Sequence, residues 1–500
     1  MGFNFAMGFK FVLLWTDLAL YGLLAALCVY VWRLRGLPNA RANWLKVLRD
    51  PAALCSAAVL LLFVGVALLD SVHFRVALPQ APGAAPGTPV FFSSRTGSLL
   101  DAVMHQQVQM REVSWSAPLA THGFSKSTVE HGSDVVHEYP RLAHGGAHLR
   151  DPDREAVPDI LGRAAKGMLG GALVSALLAL ATGGLLARSH GGLKPALQDL
   201  WRAHTQYPLR PLLITLAVIC LVGGPVAALM GHYHVFGTDR TGNDVLYQAL
   251  KSVRTAFVIG TLATLATLPF AIVLGVLAGY FKGWVDEVIQ YLYTTLTSVP
   301  SVLLIAACVL MMQVFLDKHP EMFETGAERA DVKIFLLCVI LGVTGWATLC
   351  RLVRGETLKL RELEYVQAAT AFGVSHARIM GRHILPNVMH LVLITTVLSF
   401  SDLILFEAVL TYIGVGVDPS MNSFGGMINL ARSEMSRNPV VWWSFAAAFA
   451  FMVVLVLAAN LFADGVRDAF DPRSRVFRPR FVRRLLKAPP GTAGEPAKTK

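Results

Sequence analysis

Nine stretches of the chain are long blocks of mostly apolar residues: 11–32, 51–69, 167–187, 211–230, 256–280, 301–316, 333–350, 388–408 and 440–463. At about 1.5 Å of rise per helical residue, such stretches cross a hydrocarbon core roughly 30 Å thick. Runs such as AFAFMVVLVLAANLF at 448–462 lack the in-out alternation of a membrane barrel strand. The pattern predicts an all-α integral membrane protein with about nine transmembrane helices in a lipid bilayer. Asp17 is the one residue out of keeping with the first stretch.

A long polar interval, 71–165, separates the second and third stretches. It contains the run APGAAPG (81–87) and His73, His105, His122, His131, His137, His144 and His148, close to half of the chain's 15 histidines. A metal site needs three or four converging ligands. His144 and His148 have helical spacing, but Gly145 and Gly146 lie between them and no cysteine accompanies them. The interval reads as a solvated extracytoplasmic region, with no metal and no cofactor implied. All six cysteines fall inside apolar stretches, which argues against a disulfide framework.

Composition agrees, with 54% hydrophobic and 15% charged residues. The net charge of +11 suggests nucleic acid until the basic residues are placed. Arg33, Arg35, Arg41, Lys46 and Arg49 lie between the first two stretches. Arg473, Arg475, Arg478, Arg480, Arg483, Arg484 and Lys487 come after the last. By the positive-inside rule both clusters are cytoplasmic, and no nucleic-acid partner is expected. Nine crossings then put the N-terminus and 71–165 outside, and the C-terminus and 351–387 inside. The first stretch has no basic residue before Lys10 and no small-residue cleavage pattern after it, so it reads as a retained helix.

The polar island RELEYVQAATAFGVSHARIMGRHILPN (361–387) lies between two of the spanning stretches. Helix formers fill 362–372, and Gly373 can enter the left-handed conformation that stops a helix. Ser375 is placed to cap a second short helix through its side chain, with Val374 and Ile379 as a hydrophobic staple. Pro386 is expected to end that helix at or before Leu385. Residue chemistry alone leaves two readings open. One is a rigid knuckle that docks a soluble partner; the other is an amphipathic hairpin on the bilayer, supported by His376, Arg378, Arg382 and His383.

EYVQAATAFGVSHARIMGRHILPN resembles the signature loop of ATP-binding-cassette importer permeases, in particular the second permease subunit of dipeptide, oligopeptide and nickel importers. The likeness extends over most of 233–473, through HVFGTDRTGNDVLYQAL (234–250), GYFKGWVDEVIQ (279–290), WATLCRLVRGE (346–356), LFEAVLTYIGVGVDPSMNSFGGMI (405–428) and NLFADGVRDAFDPR (460–473). It implies that Glu364, Tyr365, Gln367, Ala368, Ala369 and Gly373 belong to a loop seated in a cleft of an ATPase subunit. Ile379, Leu385 and Pro386 are implied to support the second short helix. Gly237, Thr238, Asp239, Gly242 and Asp244 match an extracytoplasmic motif. Two positions depart from the family: Gln367 replaces an acidic residue, with Glu364 on the same helical face, and Asn243 replaces an arginine.

No G-x-x-x-x-G-K-[ST] phosphate loop occurs, so the chain is not expected to be an enzyme. The implied partners are two cytoplasmic ATPase subunits or domains, a second permease subunit and an extracytoplasmic solute-binding protein. Peptides are the first choice of substrate, with nickel and other metal chelates as the alternative. An ion-coupled secondary transporter would need intramembrane ionisable groups. Asp402 and Glu407 are the candidates, but five residues apart they point about 140° from one another. Both are candidates for the translocation path: Glu407 matches a family position, and Asp402 lines the path on one reading and makes a packing hydrogen bond on the other.

The resemblance implies a permease core of six helices, so three are extra. The expected division is an extra helix with a basic linker (1–50), the first core helix (51–70), the polar region (71–165), an inserted hairpin (166–232), the permease core with its loop at 351–387 (233–473), and a basic disordered tail (474–500). The alternative starts the core at 211–230 after a three-helix extension.

Overall fold

The computed structural model describes residues 4–470 except 6–7, 35, 37, 79–90, 95, 132–133, 191, 203–204 and 324. The run at 81–87 and the basic tail at 474–500 lie outside the described residues. Among the described residues eight helices are long and apolar enough to cross a membrane, and a ninth span is a pair bent by 43°. The nine stretches read from the sequence correspond one to one with these spans.

The chain opens with strands β1 (Asn4–Phe5) and β2 (Phe9–Val12), then α1 (Trp15–Leu34) and the short α2 (Pro38–Val47). The helix expected from residue 11 therefore begins later. FKFV places an aromatic residue at every second position and ends on a β-branched valine, which suits a strand, and β2 pairs antiparallel with β3 (His73–Val76), Phe11 opposite Phe74. Helix α3 (Pro51–Asp70) starts where Asp50 accepts from the Ala53 N–H at 2.9 Å, with Pro51 in the first turn. Strand β4 (Gly97–Ser98) completes a four-stranded antiparallel sheet in the order β1-β2-β3-β4. The short helices α4 (Leu99–Val103) and α5 (His105–Gln109) and the hairpin of β5 (Ser127–His131) with β6 (Asp134–Glu138) come after it. The sheet joins the N-terminal strands to the polar region, so both lie on one side of the spans.

Next come α6 (Pro152–His190), α7 (Leu193–Trp201) and α8 (Leu209–Leu229). The expected division at 165/166 falls inside α6, which is continuous across it. Helices α6 and α8 meet backbone to backbone: a Cβ added at Gly167 would strike the Gly224 carbonyl, and one at Gly171 the Cys220 carbonyl. Small residues let helices approach where lipid supplies no hydrophobic drive between them.

The remaining elements are α9 (Val245–Phe281), α10 (Gly283–Ser298), α11 (Ser301–Lys318), α12 (Gly326–Gly345), α13 (Ala347–Arg361), α14 (Glu364–Ala371), α15 (His376–Ile379), α16 (Leu385–Ile413), α17 (Phe424–Met435) and α18 (Trp443–Phe470). Helix α9 is the central post, with α3, α12, α13, α16 and α18 packed around it. Gly275 and Gly279 bring it against α13, where added Cβ atoms would stand 2.9 and 2.7 Å from the Cys350 and Arg354 carbonyls.

Asp17 is explained by tertiary contacts. It is 1% exposed. Its carboxylate accepts from Arg254 Nη2 of α9 at 2.6 Å and meets His73 Nδ1 at 2.7 Å. Arg254 also donates to the Thr16 hydroxyl at 2.9 Å, and Thr16 bonds through both its N–H and its hydroxyl to Asp331 of α12. Helix α1 is thus tied to α9 and α12 where the spanning helices meet the polar layer. Nearby, Lys251 pairs with Asp101 at 2.8 Å, and Asp70 accepts from Ser98 at 2.6 Å. Buried charges persist when paired and hydrogen-bonded, as these are.

Candidate functional site

The polar island between α13 and α16 folds as a knuckle. Helix α14 stops in a Schellman motif. Gly373 has φ +73°, its N–H donates to Thr370 O, and the Val374 N–H donates to Ala369 O at 3.1 Å. Ser375 stands at the cap of α15, but its side chain makes no capping bond, contrary to expectation. Its carbonyl instead accepts from the Arg378 and Ile379 N–H groups.

The second correction concerns Pro386. The helix does not end before it; α15 runs through a π-turn, Met380–Ile384, directly into α16. A proline ring clashes with the carbonyl four residues earlier in a regular helix. The wider turn relieves that clash, with the Leu385 N–H reaching Met380 O and the Asn387 side chain capping His383 O at 2.6 Å.

The knuckle is fixed from below and open above. Val366, Ile379 and Ile384 are sealed into a cluster with Val353 of α13 and Val388 of α16, and Ala369, Val374 and Leu385 pack at its edge. Tyr280 at the end of α9 bonds His376 Nδ1 at 2.8 Å, and Arg361 donates to the Tyr280 carbonyl. Arg354 grips Asp286 of α10 with two bonds, at 2.5 and 2.7 Å. On the open face lie Glu364, Tyr365, Gln367, Ala368, Gly373 and Pro386, all exposed, with Phe372 at 87% exposure beside them. Tyr365 also accepts from the Asn387 side chain at 3.2 Å, pinning α14 to α16. Gln367 donates to the Glu362 carbonyl. Sequence reasoning missed Phe372 and the π-turn; a large aromatic directly before a helix-stopping glycine is the available signal for the first.

The segment 234–244 forms a seat for the polar region. Gly237 and Gly242 have φ of +72° and +77°, and a Cβ at either would strike a carbonyl of the polar region, that of Ser116 or Glu112. The Thr238 hydroxyl donates to Ser114 O at 2.9 Å and its carbonyl accepts from Trp443 Nε1 at 2.9 Å. Asp239 gathers Thr241 N, Asn243 N and the Gln248 amide, at 2.8, 2.9 and 2.6 Å. Asp244 caps α9 by accepting from Tyr247 N and holds His234 Nδ1 at 2.8 Å. Glu112 faces the other His234 nitrogen at 3.5 Å and accepts from the N–H groups of Ala143, His144 and Gly145.

Burial opposes charge on both members of this pair, but the contacts outweigh it. Three backbone N–H groups and His234 hold the Glu112 carboxyl down at about 2. Asp244 and Glu112 push His234 up to about 9. Among the described residues no three His, Cys, Asp or Glu side chains converge as metal ligands; His73, His148 and His234 bond carboxylates instead.

Within α16, Glu407 is buried and accepts from the Thr411 hydroxyl at 2.7 Å. Asp402 lies on the exposed side of the helix. The packing hydrogen bond considered for it is not among the bonds formed by the described residues.

The family described as binding-protein-dependent transport system inner membrane component matches residues 271–476. The oligopeptide transport system permease protein OppC of Mycobacterium tuberculosis is 33% identical over 248 residues, 50% of this chain and 79% of that protein. The glutathione transport system permease protein GsiD of Pectobacterium atrosepticum is 33% identical over 242 residues, 48% of this chain and 73% of that protein. The dipeptide transport system permease protein DppC of Alkalihalophilus pseudofirmus is 31% identical over 242 residues, with the same shares. These relatives are permease subunits and not ATPases. The eight or nine spans among the described residues and this likeness agree: the chain belongs to the binding-protein-dependent transport system inner membrane components, the multi-pass permeases of ABC importers.

Proposed function

We propose that the chain forms half of the translocation pathway of an ATP-driven peptide importer, together with a second permease subunit. Two cytoplasmic ATPase subunits drive it, and an extracytoplasmic solute-binding protein delivers the substrate. The observation that carries this reading is the knuckle, with an exposed docking face and a buried underside locked to α9, α13 and α16. Motion applied at Tyr365, Ala368, Phe372 and Gly373 passes to α16 through the continuous π-turn, without a flexible joint. Peptide as substrate rests on the names of the relatives, which carry oligopeptides, dipeptides and glutathione. The knuckle and the C-terminus are then cytoplasmic, and the seat at 234–244 faces outward.

In this reading α3 is the first core helix, since it packs against α9, α18 and α8, and α6–α8 is an insert beside it. Asp402 borders the translocation route or the second permease subunit, because a carboxylate on a spanning helix is costly against lipid. An Ala368→Cys chain, co-expressed with ATPase subunits carrying a single introduced cysteine in the cleft that receives the loop, tests the docking. A cross-link that blocks uptake is expected; unimpaired uptake with no cross-link from any cleft position refutes it.

A further inference from the structure

The inserted hairpin leaves a groove that its own side chains do not fill. Helices α6 and α8 touch at Gly167, Gly171, Cys220 and Gly224, near the end of the hairpin that faces the polar layer. Toward the opposite end, Ala176 and Ala179 of α6 are too short to meet Leu213 and Ala217 of α8. A cavity of about 880 Å³ remains, closed on a third side by Leu197 and Leu200 of α7. Its wall is almost wholly carbon. Two cations, Arg202 and Arg210, stand among the lining residues, and no acidic residue does. The Arg210 guanidinium sits over the Trp201 ring, 5.5 Å from its centre.

We propose that this groove holds an anionic phospholipid, with one acyl chain between α6, α7 and α8 and its phosphate between Arg202 and Arg210. Charge and position select this occupant. Most of the apolar surface of α6 and α8 is left exposed by the rest of the chain, so the groove opens onto lipid. Its mouth lies at the helix ends, where Trp201 marks the headgroup level. Two guanidinium forks give a phosphate several charge-assisted bonds. A neutral or zwitterionic headgroup offers these cations less net charge. Helix α7, with Ala196 and Leu200 buried and Leu193 and Trp201 exposed, lies as an interfacial helix beside the headgroup.

The test uses the full chain, extracted in mild detergent, washed, and assayed for retained phospholipid by native mass spectrometry. Wild-type protein should keep phosphatidylglycerol through a wash that removes phosphatidylethanolamine. In the Arg202→Gln/Arg210→Gln double variant, retention should fall about tenfold, the equivalent of one lost charge-assisted contact. Ala217→Trp, which fills the groove and leaves both arginines, should expel the lipid as well, while Lys166→Gln should not. Equal retention in wild type and the double variant overturns the proposal. So does equal retention of the two lipids, or a groove occupied by a second copy, seen as a dimer that Ala217→Trp dissociates.

Discussion

Asp17 in the first turn of α1 and Arg254 in α9 form a 2.6 Å ion pair, 237 residues apart in the chain and almost sealed from the surface. Removing one member of a buried pair strands the other. Arg254→Leu leaves both Asp17 and Asp331 without their cation and should destabilise the chain by about 3–5 kcal/mol. Asp17→Asn keeps a hydrogen-bond acceptor and leaves Arg254 beside Asp331 at 3.7 Å, so it should cost less. Thermal melts of the two variants in one detergent give the order.

Gly373 has open space around the position of an added Cβ, so substitution there acts through backbone strain and not through collision. A β-branched residue at φ +73° strains the turn by at least the 1–2 kcal/mol typical of left-handed backbone. Gly373→Val should abolish uptake while the chain stays in the membrane. Gly373→Asn, which tolerates this region, should retain most uptake. Equal loss in both variants would mean that the glycine is needed for its lack of a side chain at the docking face.

The seat formed by 234–244 should depend on pH at both ends. His234 is raised from 6.5 to about 9, so its contribution is complete below about 6.5 and is lost as pH rises through 9. Glu112 is lowered from 4.5 to about 2, so its contribution is complete above about 4.5 and is lost as pH falls toward 2. The protection of the Gly145 amide, which Glu112 holds, measured as its hydrogen exchange relative to the intrinsic rate at each pH, should be greatest between these limits. His234→Gln should flatten the alkaline limb and leave most of the acid one.

The same seat predicts a steric effect. Gly242→Ala places a methyl group against the Glu112 carbonyl at a positive φ. It should detach the polar region locally, seen as protease cutting between 105 and 145, with the spanning helices intact. Cutting no faster than in wild type would show that the loop yields at no cost.

The two carboxylates of α16 should separate cleanly. Glu407→Ala leaves the Thr411 hydroxyl without its acceptor and should cost about 1–3 kcal/mol, whereas Glu407→Gln keeps an acceptor and should be mild. Asp402→Asn should melt within about 0.5 kcal/mol of wild type and lower uptake. A loss of stability with uptake unchanged would make Asp402 a packing residue.

Much of this architecture is legible in the sequence because its causes are local. Length and continuous apolarity over some twenty residues mark a span wherever it packs, and Gly373 announces its turn because only glycine takes that backbone without strain. The π-turn is hidden because Pro386 alone signals a stop, and a helix continues past it only where neighbours fill the widened turn. Here Val353 and Val388 pack against Ile379 and Ile384 at the two ends of the turn. The side chain of Ser375 does not cap: the Arg378 N–H, which a capping side chain could have taken, donates to the Ser375 carbonyl.

The residues alone therefore establish a membrane protein of about nine helices with a permease-type loop. They leave open how the N-terminal half is joined to the rest. The folded chain answers this through contacts between distant segments: β2 with β3, Asp17 with Arg254, Arg254 with Asp331, and Glu112 with His234. Such pairs have no local signature, because a carboxylate in an apolar helix looks equally misplaced until the cation that neutralises it arrives from elsewhere in the chain.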